Sequence, residues 1–189
     1  MICRRHSLAT GRRSGFRDGP DMISDIFTFR LEQPADVPTI EALQAELFGP
    51  ERFKRAAYVL REGVRPDPAL CFVAEAGVRL VASVRMTPIT VGGRAALMLG
   101  PLAVVPQFKG QGAGKALVRL ALAAARDAGH RAVMLVGDLP YYGPLGFTHL
   151  GRDVITLPAP VDPHRILVAG LADGALDGLA GRAERALFR

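Results

Sequence analysis

The 189-residue sequence predicts a mixed α/β fold, one domain over residues 22–189 behind a basic extension over residues 1–21. Three observations carry this reading. A glycine-rich segment at 110–114 follows an apolar run at 95–105 and leads into a helix-spaced run at 112–128; a second apolar run at 132–136 completes a strand–helix–strand unit. Two β-rich runs at 70–76 and 79–86 are separated only by Gly77-Val78, the spacing of an antiparallel hairpin. Finally, Arg, Gly or Pro interrupts every apolar stretch before it reaches the ~18 to 20 residues a bilayer-spanning helix needs, which excludes a membrane span.

The elements follow in order. The extension holds Arg4, Arg5, Arg12, Arg13 and Arg17 against Asp18 and Asp21, half of a formal net charge of +6. It lacks the apolar core of a secretory signal, Met22 offers an alternative start, and the tail is expected to be disordered. Residues 26–31 read as a short strand. Asp36 is placed to cap a helix whose apolar residues Val37, Ile40, Leu43 and Leu47 recur at helical spacing until Gly49-Pro50 ends it. A second helix is expected over 51–61, then a loop to Pro68, the hairpin, and a turn at Gly92-Gly93. In the helix at 112–128, Lys115, Arg119 and Arg126 share one face while Leu117, Val118, Leu120, Leu122 and alanines cover the remainder, as in a helix laid on a sheet. Gly129 stands where a left-handed C-cap belongs. The run 133–136 has no polar residue, as suits a central strand covered on both faces. A last strand is expected at 166–171, and the Asp-Gly pairs at 173 and 177 read as turns because they lack EF-hand spacing.

Composition narrows the function. Cys3 and Cys71 cannot build a disulfide framework, Cys71 opens an apolar run where a buried thiol is expected, and a cytoplasmic location follows. The four histidines lack metal-ligand spacing, so no metal is expected. The pI of about 10.0 raises a nucleic-acid partner, but half the charge lies in the extension and there is no aromatic stacking platform.

The segment Pro106-Gln107-Phe108-Lys109-Gly110-Gln111-Gly112-Ala113-Gly114-Lys115 joins strand directly to helix, and that is an anion site. Its glycines let successive N–H groups turn inward, and the first helical turn adds partial positive charge. Lys109 and Lys115 flank it, two of only three lysines in the chain. The guest expected is a phosphate or pyrophosphate. Walker A spacing fails, because position 109 is Lys and position 116 is Ala. The dinucleotide fingerprint also fails, its third glycine falling on Lys115 or Leu117.

What remains resembles the GNAT superfamily of N-acetyltransferases, whose signature is Arg or Gln, two residues, Gly, one residue, then Gly or Ala. Here Lys109 replaces the first residue, keeping a cation and losing a planar side chain. The resemblance covers roughly residues 26–171. It implies a mostly antiparallel sheet of six or seven strands flanked by helices, with a splayed central strand pair. The run Leu99-Gly100-Pro101-Leu102-Ala103-Val104 resembles the family's fourth strand, and Gly-Pro within a strand points to a bulge. By the same resemblance, Lys109, Gly110, Gln111, Gly112, Ala113, Gly114 and Lys115 bind the pyrophosphate of acetyl-CoA, and Leu102, Ala103 and Val104 pair with its pantetheine arm. Tyr142, in Tyr142-Gly143-Pro144-Leu145-Gly146-Phe147, falls on the family's tyrosine position.

The implied reaction moves an acetyl group from acetyl-CoA to a primary amine, of a small molecule or a protein, in a ternary complex. Tyr142 would protonate the leaving sulfur and an N–H near Val104 would polarise the thioester carbonyl. Asp138 is the candidate base, acting through water, with an N-cap role as the simpler reading. Tyr141 is assigned to packing. The acceptor pocket is expected between the loops 49–68 and 152–165. Arg52, Arg55, Arg61 and Arg65 would suit an acidic acceptor, although an arginine-rich helix face is ordinarily solvated surface. The rival readings are a non-catalytic acyl-CoA sensor and a nucleic-acid-binding protein; a homodimer is compatible with the sequence.

Overall fold

Side chains that alternate along the strands sort themselves into two cores, one on each face of a single twisted sheet. The computed structural model describes residues 26–186, so the expectation for residues 1–21 lies outside the described residues. The strands are β1 (Thr28–Leu31), β2 (Phe72–Ala76), β3 (Arg79–Val91), β4 (Arg94–Val104), β5 (Ala132–Val136), β6 (Ile155–Thr156), β7 (Ile166–Gly170) and β8 (Gly181–Arg185). The helices are α1 (Val37–Phe48), α2 (Ala56–Arg61), α3 (Ala113–Asp127) and the single turn α4 (Leu139–Tyr142). The order β1-β2-β3-β4-β5-β7 is antiparallel except for β4 against β5; β8 continues along β3 opposite Ile89 to Val91, and β6 runs parallel to β8.

On one face Leu97, Leu99, Val133, Leu135, Leu167 and Ala169 meet the buried side of α3. That side repeats at Ala113, Leu117, Val118, Ala121, Leu122 and Ala125, leaving Lys115, Arg119 and Arg126 exposed as their spacing requires. The other face, with Ile89, Met98, Met134 and Val168, packs under Leu60 of α2 and the C-terminal segments. Gly129 closes α3 at φ +84°, with His130 N–H donating to Ala125 O and Gly129 N–H to Arg126 O, so the left-handed cap stands where it was expected. Cys71 is buried; its thiol donates to Asp67 O at 3.0 Å, and burial pushes its pKa up to about 12. Among the described residues no helix is long and apolar enough to cross a membrane.

Four expectations need correction. The sheet has eight strands rather than six or seven, because β6 is only two residues long and β8 is polar with one buried alanine, so neither shows an apolar alternation. The helix expected over 51–61 is broken: Pro50–Lys54 forms a 3-10 turn, Arg55 is extended, and α2 begins only at Ala56. The reason is burial, since Phe53 stays exposed whereas Ala56 and Leu60 enter the core. β3 continues to Val91 through Pro88, which falls in the gap between β2, ending opposite Val84, and β8, starting opposite Ile89; no neighbour there needs its N–H.

Asp36, lastly, does not cap α1 with its side chain. Its carboxylate turns back to accept from Gln33 N–H at 2.7 Å and from both terminal nitrogens of Arg30, at 2.6 and 2.9 Å. Hydrogen bonding to Arg30 holds the Asp36 carboxyl below its ordinary range. A lowered folded-state pKa stabilises above the unfolded value of ~3.9 and is lost as pH falls through the folded one. Asp36→Asn should therefore cost about 1 kcal/mol at pH 7 and less near pH 2. Urea melts of both proteins at the two pH values check this; an equal gap at both would refute it.

Candidate active site

The bulge expected at Gly100-Pro101 is present: these two residues together face Arg85, between the pairs Met86–Leu99 and Val84–Leu102. β4 and β5 pair only at Leu97–Val133 and Met98–Met134. Beyond Met98 the two strands diverge, so from Leu99 to Val104 β4 is bonded to β3 and has no partner strand on its other edge. A wedge-shaped groove opens there.

The glycine loop closes the groove's end. Among the described residues, none of the six main-chain N–H groups from Gly110 to Lys115 donates to a carbonyl or side chain; the first intrahelical bond is Ala116 N–H to Gly112 O. Gly110 and Gly112 have φ of +79° and +94°, which explains both glycines. Gly114 has a different reason, since a Cβ there would lie 2.7 Å from the Tyr141 hydroxyl and 3.3 Å from Val104 Cγ2. The groove, about 710 Å³, is lined by Leu102, Val104, Lys109, Gly110, Gly112, Gly114 and Lys115 from the expected set. Three expected residues turn their side chains elsewhere. Ala103 and Ala113 are buried in the core, and the Gln111 amide folds back to donate to Gln107 O at 2.9 Å, so each offers the groove main chain only.

A second cavity of about 560 Å³ lies on the other side of Tyr142 and Asp138, which line both spaces. It is bounded by Arg55, Tyr58 and Arg61 from the 49–68 segment and by Val161, Asp162 and Arg165 from the 152–165 segment, the two loops expected to form an acceptor pocket. Tyr142 stands on α4, its ring packed against Gly137, where a Cβ would collide with it, and edge-on to Phe147 at 5.8 Å between centroids. Burial, with Tyr141 and Asp138 adding to it, raises the Tyr142 phenol well above its ordinary value. Tyr141 is raised too, by burial, but its hydroxyl points at Gly114. Asp138 occupies the N-cap position of α4 without a side-chain cap bond; its exposed carboxylate accepts from Arg165 Nε at 3.1 Å.

A third space of about 380 Å³ adjoins the second around Tyr58, Arg61 and Gly100, and adds Gln44 and Thr87. Sequence reasoning named Arg61 only as one of four helix arginines and missed Gln44 and Thr87. Nothing in their spacing marks them, because they converge from α1 and β3.

The sequence model of the Acetyltransferase (GNAT) family matches residues 37–147, which spans α1, the bulged strand, the glycine loop and Tyr142. The chain belongs to this family. An N-acetyltransferase of Escherichia coli strain K12, YhbS, described as uncharacterized, is 30% identical over 157 residues, 82% of this chain and 93% of its own. The crystal structure of E. coli YhbS in complex with CoA superposes with a TM-score of 0.73 at 28% identity, covering 89% of this chain and 93% of that one. A GNAT acetyltransferase from Brucella melitensis, in complex with acetyl-CoA, gives a TM-score of 0.52 at 28% identity over 80% of this chain and 98% of its own. The mostly antiparallel sheet with one splayed pair is thus the family's fold.

Proposed function

We propose that this GNAT protein transfers the acetyl group of acetyl-CoA directly to a primary amine, with both substrates held at once in the two spaces that meet at Tyr142. Family membership supports the coarser statement: the protein is an acetyl-CoA-dependent N-acetyltransferase. The observation that carries the finer one is the row of acceptor-less N–H groups from Gly110 to Lys115 at the end of an unpaired strand edge.

The donor set fits the cosubstrate. A diphosphate needs several convergent donors, and the start of α3 supplies them together with Lys109 and Lys115. The free edge from Leu102 through Ala103 to Val104 offers main-chain donors and acceptors to the two amides of a pantetheine arm, as an added strand would use them. An N–H of this edge can polarise the thioester carbonyl. Tyr142 keeps its proton at neutral pH and donates it to the departing sulfur. Asp138, at the border of both spaces, accepts the amine's proton through water. The absence of a disulfide framework and the supply of acetyl-CoA suit a cytoplasmic setting.

Two measurements test this. Calorimetry should show acetyl-CoA binding at least about 100-fold more tightly than acetylpantetheine, which lacks the diphosphate; equal affinities would overturn the cradle. Thiol release with an amine panel should show acetylation. Asp138→Asn should lower kcat about tenfold, less than is usual for a buried base because water can replace an exposed carboxylate, with the deficit growing as pH falls. A pH–rate profile identical to that of the parent enzyme would remove Asp138 from the mechanism.

A further inference from the structure

Among the described residues, four buried side-chain polar atoms have no hydrogen-bond partner, and two of them, Gln44 Nε2 and Thr87 Oγ1, belong to residues that line the same 380 Å³ cavity. Gln44 is 2% exposed and Thr87 1%. The Tyr58 hydroxyl donates to Gln44 Oε1 at 3.3 Å, which orients the amide and leaves its buried NH2 without an acceptor. A buried donor without a partner costs free energy unless something transient satisfies it.

The third group is Arg61. Its guanidinium lies over the Tyr58 ring at 4.5 Å and makes no ion pair among the described residues. Both carboxylates nearby are engaged: Glu41 accepts from Arg85 at 2.8 Å and Glu62 from Arg185 at 2.9 Å. Burial pulls the Arg61 pKa down to about 10, the signature of a cation in poor solvent without a counter-charge. Arg61 Nη1 is 3.4 Å from the position a Cβ on Gly100 would take, so the charge sits beside the bulge at the start of the free edge.

We propose that the acceptor is a small amine bearing a carboxylate a few bonds from its amino group, the carboxylate pairing with Arg61 and accepting from Gln44 Nε2 and Thr87 Oγ1. This rests on the acetyltransferase reading and specifies its substrate class. One guanidinium and two neutral donors match a single negative charge; a phosphate dianion would be undercompensated, and Glu41 and Glu62 at the rim would oppose it. With the acid end at Arg61, which lines both cavities, the amino group reaches toward the second one, where Tyr142 stands. The amine nitrogen bonds to the acetyl carbon as the carbon–sulfur bond breaks. Asp138 takes the ammonium proton through water before the attack; sulfur then takes the Tyr142 proton, and the proton the nitrogen still carries in surplus leaves through water and restores the phenol. The products are an N-acetylated acid and the CoA thiol.

The test uses the full chain, acetyl-CoA, and glycine, β-alanine and the common L-amino acids, each beside its carboxamide, with thiol release as the readout. At least one free acid should exceed its amide about tenfold or more in kcat/KM. Arg61→Gln should raise KM for that acid roughly 30-fold, change kcat far less, and bring the acid-to-amide ratio toward unity. Should that variant fail to fold, Thr87→Val, which removes only an unpartnered hydroxyl, should raise the same KM about fivefold. Amides used as well as acids, a ratio that survives either substitution, or acetylation of peptides alone would overturn the proposal. Tight acetyl-CoA binding without turnover of any acid would overturn it alone, whereas no acetyl-CoA binding would overturn the acetyltransferase reading with it.

Discussion

Replacing Tyr142 by phenylalanine is expected to lower kcat by about 100- to 1,000-fold while changing KM for acetyl-CoA by less than about threefold. The substitution keeps the ring, and with it the packing against Gly137, Tyr141 and Phe147. The hydroxyl has no protein partner among the described residues, so its loss leaves no orphaned group. Only the proton is removed. Burial lifts the phenol above its ordinary ~10, while a free thiol titrates near ~8.5, so donation to sulfur would be uphill in water. In the site the comparison changes, because the departing thiolate is desolvated by the same walls and its proton affinity rises with the phenol's. Tyr141→Phe is the contrast, its hydroxyl being turned to Gly114, and should cost less than about threefold. Steady-state rates with a saturating amine decide the matter. A Tyr142→Phe enzyme with the parent kcat would remove this phenol from the chemistry.

The parts of this site legible in the sequence were those written in backbone. The glycines of the 110–114 loop mark N–H groups free to turn inward, Gly100-Pro101 marks a break in a ladder, and the apolar period of α3 places the loop at a helix start; each signal is local. The acceptor side is written in tertiary contacts. Gln44 on α1, Arg61 at the end of α2 and Thr87 on β3 meet only because the bulge and the break at Arg55 bring their elements together. Arg61 also shows why composition misleads. Burial depresses Arg61, which has no ion pair among the described residues, and no pattern in the sequence separates it from the other three arginines between 52 and 65. Strands β6 and β8 stayed hidden for a related reason: Gly-Arg-Ala-Glu-Arg buries one alanine and becomes a strand by lying against the end of β3.

Replacing Arg85 by methionine is expected to destabilise the fold by about 3 kcal/mol and to lower Tm by roughly 10 °C. Arg85 is the β3 residue that the Gly100-Pro101 bulge faces. Its guanidinium donates to Glu32 through Nε at 2.7 Å and Nη2 at 2.6 Å, and to Glu41 through Nη1 at 2.8 Å. The side chains of Arg85 and Glu32 are 11% and 12% exposed, so the pair is shielded from water and Glu41 forms its open end at 49%. Burial acts to discharge Arg85, the two carboxylates act to keep it charged, and the carboxylates win, since its pKa is raised. Methionine fills the space of the stem but leaves Glu32 as a nearly buried charge without its partner, which is where the cost arises. Glu32→Gln should cost less, about 1 to 2 kcal/mol, because Glu41 still compensates Arg85. Arg85→Met combined with Glu32→Leu separates charge from packing. If the orphaned carboxylate is the source, the double variant recovers most of the stability lost in Arg85→Met, and the coupling in a double-mutant cycle exceeds about 1 kcal/mol. Urea denaturation of the four proteins measures it. Additive losses would instead make Arg85 a spacer, held between the bulge and α1 by the length of its stem, and the charge pair incidental.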